Sequence, residues 1–197
     1  ATLAWKFSRN QYGFNAYARP ALMLETLEGM LGTETMARVM RTYHERYRFG
    51  HPRGNDFYAV AEEVSGRDLD DFFAQTVESP GVLDPAILDL TSEPAEQARG
   101  KVLVDGAEIE IDEKKAVELE RAADESETRG YRSVLELRQR GELILPVEVE
   151  LTFEGQEPER RLWDDGRRWA RWEYERPEKL LEVRLDPDGK LALDADR

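Results

Sequence analysis

The sequence predicts a multidomain α+β protein, an antiparallel α-helical bundle followed by an antiparallel β-sandwich. Three observations predict this class. In the first part apolar residues recur at three- and four-residue steps, which is the period of an amphipathic helix. In the last part every second residue is apolar, which is the period of a strand. A composition shift at Ser92, Glu93 and Pro94 through Gly100 lies between them and indicates a linker.

We therefore divide the chain into a helical subdomain at residues 1–91, a linker at 92–100 and a sandwich at 101–197. Its 197 residues, 40% of them apolar, are enough to bury a core. The formal net charge is −14, and residues 89–197 carry 19 basic and 30 acidic side chains of the total. Because nucleic-acid binding depends on neutralising phosphates, this balance excludes nucleic acid as a partner.

Four amphipathic helices are predicted in the first part, and short connections between them favour antiparallel packing. They begin at Pro20, at Thr33, at Asn55 or Asp56, and at Asp68. Proline is tolerated in a first helical turn, where its missing N–H would have no partner. Gly32 and Gly66 follow the first and third helices and suit left-handed C-terminal caps.

Five to seven short strands are predicted in the second part, as expected for a sandwich. The clearest alternation runs from Leu143 to Phe153. Further strands are predicted at Lys101–Val104, Ala107–Ile111, Tyr131–Arg138, Arg167–Tyr174 and Leu180–Leu185. Arg140-Gly141 predicts a hairpin turn between two of these strands. The charged, Ala-rich stretch Asp112–Gly130 indicates either an exposed helix or a loop.

Composition excludes several kinds of site. Without cysteine the chain has no disulfide, thiolate nucleophile or cysteine-ligated metal. His44 and His51 are too few for a three-histidine zinc site, and neither belongs to a His-Glu-x-x-His pattern. No apolar run approaches the roughly 20 residues of a membrane span, so no membrane segment is expected in this fragment.

The remaining polar and aromatic motifs favour structural roles. Side chains of the adjacent pairs Glu62-Glu63 and Asp70-Asp71 point about 100° apart on a helix, so neither pair can share a proton. Asp186–Gly189 indicates a turn, because the later ligands of a calcium loop are missing. Four aromatic residues could form a platform that binds carbohydrate or peptide, but such residues more commonly belong to the core of a sandwich. They are Trp163, Trp169, Trp172 and Tyr174.

A longer pattern begins at Tyr17, where Tyr17-Ala18-Arg19-Pro20 precedes an apolar helix that ends at Leu31-Gly32. This segment resembles the one that follows the zinc site in the aminopeptidase N-like (gluzincin) zinc metallopeptidases. Later motifs carry the same resemblance. They are Arg41-x-Tyr43, Tyr47-x-Phe49-x-His51-Pro52, Val64-Ser65-Gly66-x-Asp68-Leu69-x-x-Phe72-Phe73 and Val183-x-Leu185-Asp186-Pro187. The resemblance covers most of the chain and is strongest up to about residue 90.

The resemblance implies that Tyr17 is a catalytic residue, because the matching tyrosine of that family donates its hydroxyl to the oxyanion of the tetrahedral intermediate. It also implies a peptide substrate and a zinc ion that acts with the glutamate of His-Glu-x-x-His. Two positions depart from the family pattern. Pro20 stands where a small residue, often glycine, is usual, and Arg19 stands where lysine is common.

The zinc ligands and the catalytic glutamate of that family lie upstream of the tyrosine, outside these 197 residues. We therefore expect the chain, which begins with Ala1, to be the C-terminal part of a longer peptidase and inactive alone. Zinc is then a cofactor of the full-length parent and not of this fragment. The partner implied is the upstream catalytic domain of the same polypeptide, and the compartment stays open between cytoplasmic and membrane-attached.

The alternative is a non-catalytic peptide- or protein-binding scaffold module, derived from a family member without zinc. Such a module would bind through the tryptophan-rich strands or through the groove between the two parts. The sequence does not decide between the two hypotheses.

Overall fold

The computed structural model of the protein describes residues 6–95, 100–104, 107–111 and 130–196. Within them, helices occupy the first part and antiparallel strands the second, which confirms the α+β class. The helices are α1 Arg9–Gly13, α2 Arg19–Leu31, α3 Thr33–Tyr47, α4 Gly54–Ser65 and α5 Asp70–Phe73, with π-helical turns at Phe14–Ala18 and Ala74–Glu78. The strands are β1 Pro85–Pro94, β2 Gly100–Val104, β3 Ala107–Ile111, β4 Tyr131–Gln139, β5 Val147–Phe153, β6 Glu159–Trp163, β7 Trp169–Arg176 and β8 Leu180–Leu185.

The predicted helices begin within about two residues of the observed ones. Gly66 forms the predicted left-handed cap after α4, with φ 68° and ψ 18°. Gly32 also has a positive φ of 85°, but its ψ of 147° lies outside the left-handed helical region, so the predicted cap after α2 is wrong in its conformation. The Asp56 carboxylate accepts the Arg53 N–H at 2.6 Å at the start of α4. Asp68 lies before α5 rather than in it, because its carboxylate accepts the Asp70 N–H at 3.1 Å.

The strands form two three-stranded antiparallel sheets and one separate hairpin. Among the described strands the sheet orders are β1-β4-β7 and β6-β5-β8, and β2 pairs with β3. The predicted strands are present. The sequence does not predict β1 and β6, because neither segment has an alternating apolar pattern. β1 runs across residues 91 and 92, where we placed the end of the helical subdomain, and the domain division stays a prediction. Residues 96–99 of the predicted linker and nearly all of Asp112–Gly130 lie outside the described residues.

The predicted hairpin at Arg140-Gly141 is wrong. β4 pairs with β1 and β7, while the next strand along the chain, β5, belongs to the other sheet. The Arg140 N–H donates to the Asp84 carbonyl at 2.7 Å, and the Leu143 N–H donates to the Val82 carbonyl at 3.1 Å. A side chain at Gly141 would overlap the Val82 carbonyl oxygen. The chain therefore leaves one sheet alongside residues 82–84 before it enters the other.

One continuous apolar core joins the helices to both sheets. Fully buried members are Leu27, Val39, Val60, Leu83, Leu135, Val147 and Leu151. Polar contacts reinforce this junction: the Gln75 amide accepts the Ile144 N–H at 2.6 Å and donates to its carbonyl at 3.1 Å. The buried Thr26 hydroxyl of α2 accepts the Leu193 N–H at 3.0 Å. Within the described residues no helix is both long and apolar enough to cross a membrane.

An ion-pair cluster ties the turn after β8 to the β6-β5-β8 sheet. The Arg160 guanidinium contacts Glu150 at 3.2 Å and Asp188 at 2.6 Å, and Lys190 contacts Glu148 at 2.8 Å. Hydrogen bonds from Arg160 and then Lys190 lower the pKa of Asp188 to about 2.

This cluster predicts an acid-dependent loss of stability. A carboxylate with a lower pKa in the folded state stabilises the fold above its unfolded pKa of about 3.9 and loses that contribution as pH falls. We expect the melting temperature of Asp188→Asn to fall less between pH about 4 and 2 than that of the unmodified chain. The control is Asp164→Asn, since Asp164 is exposed and makes no hydrogen bond within the described residues. An identical acid profile for Asp188→Asn and the unmodified chain would contradict the assignment.

Candidate functional site

Tyr17 lies on the π-helical turn between α1 and α2. Tyr17 is 66% exposed, so it lies at the surface of the described structure. The Arg19 N–H donates to the Phe14 carbonyl, five residues back, and this wider turn separates Tyr17 from the α-helix that follows. Single π-turns inserted in helices are frequent at functional sites. The local backbone therefore presents Tyr17 at the start of α2 instead of burying it.

A second tyrosine, Tyr12, supports the Tyr17 ring. The two ring centroids are 5.9 Å apart with an interplanar angle of 72°, an edge-to-face contact. A side-chain hydrogen bond with Tyr17 is the main cause that raises the pKa of Tyr12 above its usual value. The five-residue spacing of the pair matches neither helical neighbours nor a strand face, so sequence reasoning missed Tyr12.

Arg19 fixes the start of α2 to the segment that leads into β1. Its Nη2 donates to the Ser79 carbonyl at 2.7 Å and to the Gly81 carbonyl at 3.2 Å. Pro20 follows in the first turn of α2, as the sequence predicted. Arg19, one of the two departures from the family pattern, therefore has a structural use next to Tyr17.

Replacing Arg19 with alanine is expected to lower the free energy of unfolding by about 1–2 kcal/mol, because two carbonyl oxygens lose a charged donor. Arg19→Lys should give an intermediate value, since an ammonium keeps the charge but not the planar fork. Urea denaturation of the three proteins measures the effect. Equal stability of all three would show that these hydrogen bonds do not anchor the helix.

The described residues do not fit a zinc site. His44 and His51 are exposed, and neither belongs to a group of metal-ligating side chains in the described part of the chain. The group of three that could meet a cation there consists of Glu62, Asp68 and Asp70. Glu62 accepts the Leu69 N–H at 2.9 Å, so these carboxylates already hold the backbone before α5. A structural role in capping is therefore sufficient for them.

The other sequence motifs have the structural roles that the spacing favoured. Glu63 accepts two hydrogen bonds from Arg46 at 2.8 Å, whereas the adjacent Glu62 accepts the Leu69 N–H, so the two carboxylates have different partners. The Asp186–Gly189 segment is a turn, in which the Asp186 carboxylate accepts the Leu191 N–H at 2.7 Å.

The aromatic residues do not form one platform. Trp163 is buried, and its indole N–H donates to Asp165 at 3.2 Å. Trp172 and Tyr174 are half-buried against the core, whereas Trp169 is 63% exposed on the opposite face of β7.

Two curated proteins are similar to parts of this chain. Aminopeptidase N of Lactococcus lactis subsp. lactis is 29% identical over 77 residues, which are 38% of this chain and 9% of that protein. Aminopeptidase N of Streptomyces lividans is 33% identical over 66 residues, which are 34% of this chain and 8% of that protein. About a third of the chain is thus aminopeptidase N-like in sequence. No protein-family model matches the chain.

This similarity supports the aminopeptidase N-like relationship inferred from the motifs, and with it a peptidase-related origin. The chain spans less than a tenth of the length of the curated relatives it matches.

Proposed function

We propose that this chain is the C-terminal part of an aminopeptidase N-like (gluzincin) zinc metallopeptidase, and that Tyr17 contributes to hydrolysis of a peptide substrate. The observation that carries the proposal is the exposed position of Tyr17 at the head of α2, within the motif that resembles the family. Part of the chain is also similar to two bacterial aminopeptidases N.

In this proposal Tyr17 donates a hydrogen bond to the oxyanion that forms when water attacks the scissile carbonyl. A phenol hydroxyl is a neutral donor that needs no prior proton transfer. It acts on negative charge that is present mainly in the transition state, so it raises the rate more than it raises substrate affinity. The π-turn, the Tyr12 ring and the Arg19 anchor together hold this donor in position.

In this proposal zinc belongs to the upstream part of the parent polypeptide, the partner of this chain. The residues of this chain supply the hydrogen bond from Tyr17 to the oxyanion and the contacts that position Tyr17. Such a chain is inactive alone, because a single phenol does not activate water.

The proposal includes a helical bundle behind Tyr17 and a supporting β-sandwich. Contacts between the two three-stranded sheets support the sandwich. The Arg161 guanidinium lies 4.2 Å from the centroid of the Trp172 ring, and the Phe153 and Tyr174 ring centroids are 5.6 Å apart. Arg176 of β7 and Glu159 of β6 form an ion pair at 3.0 Å.

The test is to express this chain joined to its upstream coding sequence and to measure zinc content and hydrolysis of an aminoacyl substrate. We expect about one zinc per polypeptide and measurable turnover in the longer protein, and neither in the 197-residue chain. An upstream sequence without His-Glu-x-x-His, or a longer protein that binds no zinc, would overturn the proposal.

A further inference from the structure

The outer face of the β1-β4-β7 sheet is mostly a network of paired charges. Arg171 contacts Glu136 at 3.5 Å and Glu173 at 3.0 Å, and Arg132 contacts Glu173 at 2.7 Å. All of these side chains are partly exposed, as is usual for a solvated sheet face. This part of the face has its charges paired and offers little to a partner.

One end of the same face is different. In the strand register Arg138 of β4 lies between Ala86 of β1 and Trp169 of β7, so these side chains share the outer face. Trp169 is 63% exposed, and Leu88, at the irregularity between Ile87 and Asp89, is 49% exposed. Leu88, Arg138, Arg168 and Trp169 line an open groove of about 450 Å³, here called the Trp169 groove.

The charge of the Trp169 groove is opposite in sign to that of the chain. The Arg138 guanidinium is exposed and makes no ion pair within the described residues. Arg168 donates to the Gly141 carbonyl at 3.0 Å, and its charge is partly compensated by Glu142, whose pKa is lowered by backbone hydrogen bonds and, to a smaller extent, by Arg168. Glu136 also lines the groove, but Arg171 engages its carboxylate. In a chain of net charge −14, the positive charge of Arg138 beside exposed tryptophan and leucine is complementary to an acidic and partly apolar partner.

We propose that the Trp169 groove binds an extended acidic peptide segment of a partner protein. Neighbouring strands lie about 4.8 Å apart, so Leu88 on β1 and Trp169 on β7 are separated by roughly 10 Å. A peptide in the extended polyproline II conformation rises about 3.1 Å per residue and completes a turn in three residues, so two apolar side chains three residues apart point to the same side and span about the same distance. Aspartate or glutamate residues between them would meet Arg138. This proposal does not depend on the peptidase function, because Tyr17 lies on another element.

The test uses the full 197-residue chain and a fluorescein-labelled peptide, Asp-Glu-Leu-Asp-Glu-Phe-Asp-Glu, in anisotropy titrations. We expect binding at least about tenfold tighter than that of the Asn/Gln version, and strong weakening at about 0.5 M salt. Trp169→Ala and Arg138→Glu should each raise Kd by about tenfold, since a central aromatic anchor and a complementary charge are lost.

Matched controls lie on the other sheet. Leu181 of β8 is 53% exposed, and the Arg184 side chain of the same strand is 58% exposed. Leu181→Ala and Arg184→Glu remove the same kinds of group and should leave Kd unchanged. Far-ultraviolet circular dichroism confirms that each variant is folded.

Three outcomes would overturn the proposal. They are no binding of the acidic peptide, equal binding of its neutral version, and equal losses in the control variants. A parallel titration with dextran sulfate distinguishes another class of acidic ligand. If dextran sulfate binds in a manner that depends on Arg138 and the peptide does not bind, the ligand of the groove is an anionic polysaccharide and the proposal is rejected.

Discussion

Tyr17→Phe in the longer, zinc-loaded polypeptide is expected to lower kcat by about 100- to 1000-fold, the usual effect of removing one oxyanion donor. The substitution removes one oxygen and keeps the ring that contacts Tyr12 at 5.9 Å. Because the lost hydrogen bond forms mainly in the transition state, KM should change by no more than about threefold. Steady-state kinetics with an aminoacyl p-nitroanilide measure both constants, and zinc content should be unchanged.

Tyr12→Phe is the matched control for that variant. It removes the hydroxyl of the neighbouring ring, which is also exposed, and we expect kcat to fall less than about tenfold because Tyr12 acts only through Tyr17. Normal turnover in Tyr17→Phe would remove the proposed role. Equal losses in the two variants would show that the tyrosine pair, and not the Tyr17 hydroxyl, is what activity requires.

Gly29→Ala is expected to lower the free energy of unfolding by about 2–3 kcal/mol, although alanine is the better helix former. Gly29 lies in α2, where an added Cβ would overlap the Lys190 carbonyl oxygen and come within 2.7 Å of the Lys190 Cβ. The helix and the segment after β8 would have to separate, which would also strain the hydrogen bond from Leu193 to Thr26. Urea denaturation measures the loss.

Gly13→Ala is the matched control, because Gly13 lies in α1 and a Cβ there would meet no atom within 4 Å. We expect that variant to be as stable as the unmodified chain or more stable by about 0.5–1 kcal/mol. If both alanine variants gained stability, α2 would not pack against Lys190 as closely as the structure shows. In the longer enzyme, Gly29→Ala should also reduce kcat, since α2 carries Tyr17 at its head.

The sequence located the candidate site but not its surroundings. Tyr17 could be selected because it begins a motif that continues for about 15 residues into a well-marked helix. Nothing local predicts that Tyr12 contacts it, because a five-residue neighbour requires a π-turn, which leaves no periodic pattern. The carbonyl partners of Arg19 are about 60 residues away in the chain, so only the folded structure brings them together.

Local patterns determined the type of most elements, and the tertiary structure determined their partners. The apolar steps of α2 and the alternation of β5 are properties of neighbouring residues, so the sequence alone predicted both. The alternation from Leu143 onward is the same whether the strand pairs with β4 or with β6 and β8, and for that reason the predicted hairpin was wrong.

β1 and β6 show the same limit from the other side. Neither strand alternates: the buried residues of β1 are the two at its start, and the buried residue of β6 is Trp163. Each strand is held by backbone hydrogen bonds to a neighbouring strand. Backbone hydrogen bonds carry little trace in side-chain composition, so strands of this kind are visible only after folding. The sequence by itself therefore determined the α+β class, the helices and the position of Tyr17. Only the tertiary structure decided the sheet order, the anchoring of α2 and the exposed end of the β1-β4-β7 sheet, because each depends on contacts between distant residues.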